Sequence, residues 1–387
     1  MHDAVLLFIV VITALTFDFT NGFHDTANAM ATSIATGALK PKAAVALSAA
    51  LNLLGAFLSI KVAATIAGGI VSADVITLPI VFAGLLGAIV WNIVTWMFGL
   101  PSSSSHALIG GVIGATMASA GASAVHGHSI VAKVIVPAVL SPIIAALVAA
   151  LATRLAYRTA RPDERPRSHR YFRLGQLASA SLVSLAHGTN DAQKTMGVIT
   201  LALIADKELA PHSDPPVWVI TACALAIAAG TYLGGWRVIR TMGHRLTHIE
   251  PPQGFAAQTS AAIVLLTATQ GGLPLSTTHI TSGAVLGSGM GKKGAKIRWS
   301  VAGSMVVAWV LTLPAAGLVA GGLGLIVDNG STPLIVLVAV IAALALTGVW
   351  LWSRKHRITA ENVNEIADPA DRAIRDLELP VLEQQAS

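Results

Sequence analysis

Charge is the scarcest ingredient of this 387-residue chain. Asp, Glu, Lys and Arg make up 11% of it, while 54% is hydrophobic. A soluble protein of this size is about one quarter charged, so too little charge is left to coat a water-facing surface. The mean hydropathy of +0.70 points the same way. Apolar surface must face a lipid bilayer. Cysteine is nearly absent too. Cys223, inside TACALAIAAG, is the only one, which excludes an intramolecular disulfide and a thiolate metal cluster. The first apolar run lacks a basic leader and an A-x-A cleavage pattern, and Asp3 precedes it. It is expected to remain as a membrane element. No HExxH motif or nucleophile–base–acid set is visible, so an enzyme is not expected. No large soluble domain is present to serve a receptor or a scaffold. The net charge of +6 sits in loops beside hydrophobic spans. That pattern orients membrane helices and does not suit nucleic acid.

What is there is a series of apolar blocks, roughly 4–39, 43–70, 78–120, 130–156, 174–206, 217–236, 255–290, 300–327 and 332–352. One crossing takes about 20 residues. Blocks 4–39 and 174–206 carry Asp, Asn and Gly midway, and 78–120 and 255–290 carry Pro-Ser-His stretches. These four are expected to be broken helices or helical hairpins, since irregular backbone at membrane depth must be buried in protein or line a polar cavity. Residues 157–173 form a linker rich in arginine. Placing it and the other basic loops in the cytoplasm leaves the N-terminus outside and the C-terminus inside a cell membrane. The halves 1–156 and 174–327 then run antiparallel, followed by a final helix at 328–353 and a tail of low order at 354–387. The expected fold is an all-α polytopic membrane protein, an inverted-repeat secondary transporter with broken helices and two helical hairpins.

Two stretches are written twice. GLPSSSSHALIGGVIG (99–114) and GLPLSTTHITSGAVLG (272–287) agree at 8 of 16 positions. They mark the hairpins expected at 99–118 and 272–290. NGFHDTANAM (21–30) and HGTNDAQKTM (187–196) share Gly, Asp and Met. An ionisable residue within a membrane span is costly and is buried beside a partner or a polar path. Asp25 and Asp191, with Asn28, Asn190, Gln193 and Thr195 around them, offer hard oxygen ligands for Na⁺ or a site for H⁺. Lys194 is the one cation among them. It suits either an anion or Asp191 itself. The Ser/Thr runs follow a proline and begin helices. A helix N-terminus with free N–H groups and added hydroxyls is an anion site. Ser103, Ser104, Ser105, Ser276, Thr277 and Thr278 are therefore the candidate oxyanion ligands. Gly110, Gly114, Gly283 and Gly287 have small-xxx-small spacing, which lets helices pack closely.

These paired motifs, GFHDTANAMATSIATGAL with HGTNDAQKTMGVITLAL and the two GLPxSxxH segments, resemble the inorganic phosphate transporter (PiT) family of low-affinity bacterial permeases. The likeness covers nearly the whole chain except the acidic tail. It implies secondary active uptake of inorganic phosphate by alternating access, coupled to H⁺ or Na⁺, with a divalent ion such as Mg²⁺ carried along as a metal–phosphate complex in some members. By motif position it assigns Asp25, Asn28, Asn190 and Asp191 to the coupling cation, and Ser103–Ser105 and Ser276–Thr278 to phosphate. Two departures bear on coupling. Sodium-coupled relatives tend to carry Glu where this chain has Asn52 and Gln258, so H⁺ is the expected ion. Asn52 and Gln258 join His106 and His279 as candidates for a proton relay or for bracing the hairpins. Sodium coupling, a sulfate permease on the same fold and an anion channel are the competing readings. No resident cofactor is expected, and a homodimer is left open.

Overall fold

The computed structural model describes residues 2–159, 165–327, 332–354 and 358–365. Among them there is no β-strand, only two isolated bridges, Val71–Val125 and Thr247–Ile297. The first half contributes α1 (His2–Ala35), α2 (Pro41–Gly55), α3 (Lys61–Gly69), α4 (Leu78–Met97), α5 (Ser104–Ala120) and α6 (Gly127–Thr159). The second contributes α7 (Arg165–Ala205), α8 (Val217–Leu233), α9 (Trp236–Arg245), α10 (Pro251–Gln270), α11 (Thr277–Gly291) and α12 (Trp299–Val327), and α13 (Thr332–Ser353) follows. Five of the described helices are long and apolar enough to cross a membrane, or six if α8 and α9, bent by 58°, form one span. The chain is thus an all-α polytopic membrane protein.

The order of elements repeats, and the packing is reciprocal. α5 lies along α12 and α11 along α6; α8 lies along α1 and α2 along α7. Small residues make this approach close. A Cβ at Gly114 would sit 2.0 Å from the Gly317 carbonyl oxygen, and one at Gly287 would sit 2.1 Å from that of Ala146. Both partner helices, α6 and α12, carry an internal proline, Pro142 and Pro314. Such contacts replace the hydrophobic drive that is missing between helices in lipid.

Both hairpins form where the doubled GLP motif predicts. α4 turns into α5 at 98–103 and α10 into α11 at 271–276. Gly99 (φ +63°) and Gly272 (φ +66°) take the left-handed backbone the turns need, which a side chain would disfavour. Each tip is held from outside by a base. Arg237 Nη1 donates to the Met97 carbonyl at 2.8 Å, and Lys61 Nζ donates to the Gln270 carbonyl at 3.4 Å.

The breaks expected within blocks 4–39 and 174–206 are absent. α1 runs unbroken for 34 residues and α7 for 41. Most of their midway Asp, Asn and His side chains meet other side chains or carbonyls of the bundle, so the helical backbone need not open to satisfy them. α7 also begins at Arg165, inside the stretch read as a linker. Pro166 fits the first turn of a helix, where its missing N–H costs nothing; residues 160–164 of that linker lie outside the described residues. Part of the tail is packed. Val363 is fully buried, Arg240 donates to the carbonyls of Asn362 and Val363, and His244 meets Asn364 at 2.9 Å. Residues 366–387 lie outside the described residues.

Candidate functional site

The starts of α5 and α11 converge on the middle of α1 and α7. Ser103 and Ser276 are the N-caps, and their hydroxyls accept from the N–H of His106 and His279, both at 3.2 Å. This is ordinary capping geometry, and it leaves the next two hydroxyls of each run free to point at α1 and α7. Ser104 reaches Asp25 Oδ1 at 3.4 Å, and Ser105 lies 2.5 Å from Lys194 Nζ. Thr277 lies 3.1 Å from Asp191 Oδ2 and 3.4 Å from Asp25 Oδ2, and Thr278 lies 3.4 Å from Asp25 Oδ1. Asn28 donates to Thr278 at 3.0 Å. One threonine hydroxyl from the second half thus bridges carboxylates from both halves. All these side chains are buried.

The two carboxylates are neutralised differently. Asp191 is ion-paired with Lys194, whose ammonium also donates to the Leu275 carbonyl at 2.9 Å, and His187 Nε2 lies 3.1 Å from Asp191 Oδ2. Asp25 has no lysine or arginine partner among the described ion pairs. Its neighbour is His24 Nδ1 at 2.7 Å, a group that is charged only when protonated. Asp25, His187 and Asp191 each offer one ligand atom, all within 4.8 Å of one another, enough to hold a cation. With both histidines neutral, two carboxylates face one ammonium, a net charge of −1 in a site sealed from water.

The structure separates other residues named from sequence. Gln193 accepts from the N–H groups of Val62 and Ala63, at 2.7 and 3.4 Å, and so caps α3. Asn190 donates to Thr269 on α10 at 3.1 Å. Thr195 donates to Asp18 at 3.0 Å. None of the three is recorded in contact with the Asp25–Asp191 pair. Asn52 stands behind His187, with its Oδ1 3.2 Å from His187 Nδ1, while its amide donates to Thr231. Gln258 donates to the Ala29 carbonyl at 2.7 Å and so braces α1. His106 and His279 stack edge-to-face on each other, centroids 4.7 Å apart, and His279 packs on Trp309 at 4.3 Å. His279 Nδ1 also lies 3.2 Å from the Ala138 carbonyl of α6. Both histidines line an apolar cavity of about 800 Å³ between α6 and α12, turned from the hydroxyls that meet the carboxylates.

Sequence reasoning singled out neither His187, which meets Asp191, nor Asp18, a buried carboxylate outside the cluster. His187 opens the second signature but has no histidine mate at the first Asn21, so the alignment gave no reason to single it out. Asp18 lies outside the repeated ten residues.

A family model described as the phosphate transporter family matches residues 21–164 and again 156–320. A Mycobacterium bovis protein named "Probable low-affinity inorganic phosphate transporter" is 59% identical over 361 residues, 93% of this chain and 87% of that one. A Rhizobium meliloti protein of the same name is 44% identical over 324 residues, 82% of this chain and 96% of that one. A solved structure titled "The sodium-dependent phosphate transporter" shares the fold, with a TM-score of 0.75 at 21% identity, over 84% of this chain and 99% of that one.

Proposed function

Since the chain belongs to the phosphate transporter family, we propose that it takes up inorganic phosphate by symport with H⁺, through alternating access between two antiparallel halves. The observation that carries this reading is the charge of the buried cluster. A phosphate anion held by Ser104, Ser105, Thr277, Thr278 and Lys194 at two helix N-termini would meet a net −1 from the Asp25–Asp191–Lys194 set. In a low-dielectric site that repulsion is severe, so the anion must enter with positive charge. Each carboxylate already has an imidazole beside it, a group that is charged only when it holds an extra proton. The donor set suits H⁺ better than Na⁺, which prefers oxygen alone. The reciprocal packing suits two repeated halves, and the basic loops support the antiparallel reading, with N-terminus outside and C-terminus inside. The hairpin tips, held by Arg237 and Lys61, would be the two gates. Freeing one tip at a time would open the phosphate site to one face of the membrane.

Uptake of labelled phosphate into proteoliposomes tests this. An inward H⁺ gradient should drive accumulation and a protonophore should abolish it. Accumulation that requires Na⁺ and ignores pH would replace H⁺ with Na⁺. Running each arm with and without Mg²⁺ shows whether a metal–phosphate complex is the cargo. Accumulation against a gradient also sets a carrier apart from a channel.

A further inference from the structure

Asp18 stands apart from the cluster just described. It lies on α1 seven residues, or about two turns, before Asp25. It is fully buried. Oδ1 accepts from the Thr195 hydroxyl at 3.0 Å, and Oδ2 has no hydrogen-bond partner. No ion pair involving it is recorded among the described residues: Lys194, the residue next to Thr195, pairs with Asp191 instead. The titratable groups placed to feel its charge are Asp191 and Lys194 on α7 and Cys223 on α8. A carboxylate buried without a cation partner is costly, and taking up a proton removes that cost.

A second orphan stands one turn away. Asn21, on the same face of α1 at i+3, is 2% exposed, and its Oδ1 also has no partner. The Asn21 side chain lies at the Asp18 carboxyl, yet Asn21 Oδ1 and Asp18 Oδ2 are both acceptors and cannot satisfy each other. A carboxylic acid has an O–H donor that a carboxylate lacks. One proton on Asp18 Oδ2, donated toward Asn21 Oδ1, provides for both atoms. The charges of Asp191 and Lys194 reach Asp18, which joins this proton site to the phosphate side.

We propose that Asp18 is the proton-carrying carboxyl of the transport cycle. It binds one H⁺ at Oδ2 while the site is open to the outer side and gives it to water on the inner side. No other bond is made or broken. Deprotonation leaves a buried charge that draws on Lys194 through α7, which links proton release to release of the anion Lys194 holds. The inference rests on the H⁺-symport reading above.

The test uses the full-length protein in proteoliposomes, with inorganic phosphate as the probe. Two modes are measured: phosphate–phosphate exchange without a pH gradient, and uptake driven by an inward H⁺ gradient. In Asp18→Asn, exchange should stay within about twofold of wild type while gradient-driven uptake falls at least about tenfold. Asp18→Glu should restore gradient drive. Infrared difference spectra at neutral pH should show a protonated carboxyl band in wild type that Asp18→Asn removes. Gradient-driven uptake in Asp18→Asn equal to wild type would overturn the proposal. So would loss of exchange in both variants with no change in the carboxyl band, which would make Asp18 structural. The wild-type arm separates the two levels: if it ignores the H⁺ gradient, the symport reading itself fails.

Discussion

Asp25 and Asp191 occupy matching places in the two halves but keep different company. Asp191 has a lysine, a histidine and a threonine within about 3 Å, whereas Asp25 has one histidine close by and hydroxyls at 3.4 Å. A duplicated motif would lead one to expect equal roles. The geometry gives Asp191 a permanent counterion and leaves Asp25 in need of one. Symmetry of the backbone therefore supplies the cage, and departure from symmetry supplies the charge balance. The same contrast recurs at the hairpin tips. Lys61 grips its hairpin tip from an exposed position. Arg237 is partly buried, 5.4 Å from the Trp96 ring, on a helix that also holds residues 362–364 of the tail.

The sharpest way to break the comparison is to remove the counterion. Lys194→Met leaves Asp191 buried without its ammonium and strips a donor from the Leu275 carbonyl. Breaking such a pair costs about 3–5 kcal/mol, so both melting temperature in detergent and phosphate uptake should fall steeply. The double variant Lys194→Met with Asp191→Asn should regain most of the stability but none of the uptake. A double variant no more stable than the single would mean that the ion pair does not neutralise the site.

The next effect separates two hydroxyls at matching places. Thr277 touches both carboxylates and Ser104 only one. Thr277→Val should lower kcat/KM for uptake by about 100-fold, roughly 2.7 kcal/mol, and Ser104→Ala by about tenfold. Equal losses would show that the two halves grip the substrate alike.

At the hairpin tips, Arg237→Ala should raise the rate of cysteine labelling at a reporter placed at the first tip more than Lys61→Ala does at the second. The expected difference is about fivefold, since a partly buried, stacked guanidinium holds its carbonyl better than an exposed ammonium. Equal labelling rates would remove the asymmetry.

The smallest effect is at the hairpin bases. The first is joined by Ser72 and His126, 3.1 Å apart. The second has Glu250 between Tyr157 at 2.5 Å and Lys292 at 2.6 Å. Burial pushes the Glu250 carboxyl up, but the bonds from Lys292 and Tyr157, with the charges of Lys292 and His248, outweigh it and hold the group below its usual range. A lowered folded value gives stability that is present above the unfolded value of about 4.3 and lost as pH falls through the folded value. Melting temperature should therefore drop as pH falls from about pH 5 to below about pH 4 in wild type, and drop less in Glu250→Gln. Identical pH profiles would exclude this latch.

Much of the architecture was legible in the chain itself. Low charge and long apolar runs dictate a membrane protein, because nothing else can cover that surface. The GLP motifs dictate hairpins, because a left-handed glycine with a proline two residues on ends a helix, whereas Pro142 and Pro314 alone leave theirs continuous. That the carboxylates and hydroxyls of the candidate site would meet was legible as well, since a polar group kept within an apolar run needs a reason. Only the tertiary structure decided how these parts pair. Gln193, Asn190 and Thr195 lie within five residues of Asp191 yet point to other helices, because successive residues turn about 100° around a helix. His106 and His279 adjoin the candidate ligand hydroxyls in sequence but face an apolar cavity for the same reason. Which carboxylate Lys194 neutralises, and that Asp18 is left without a counterion, depends on distances between helices that no spacing along the chain encodes.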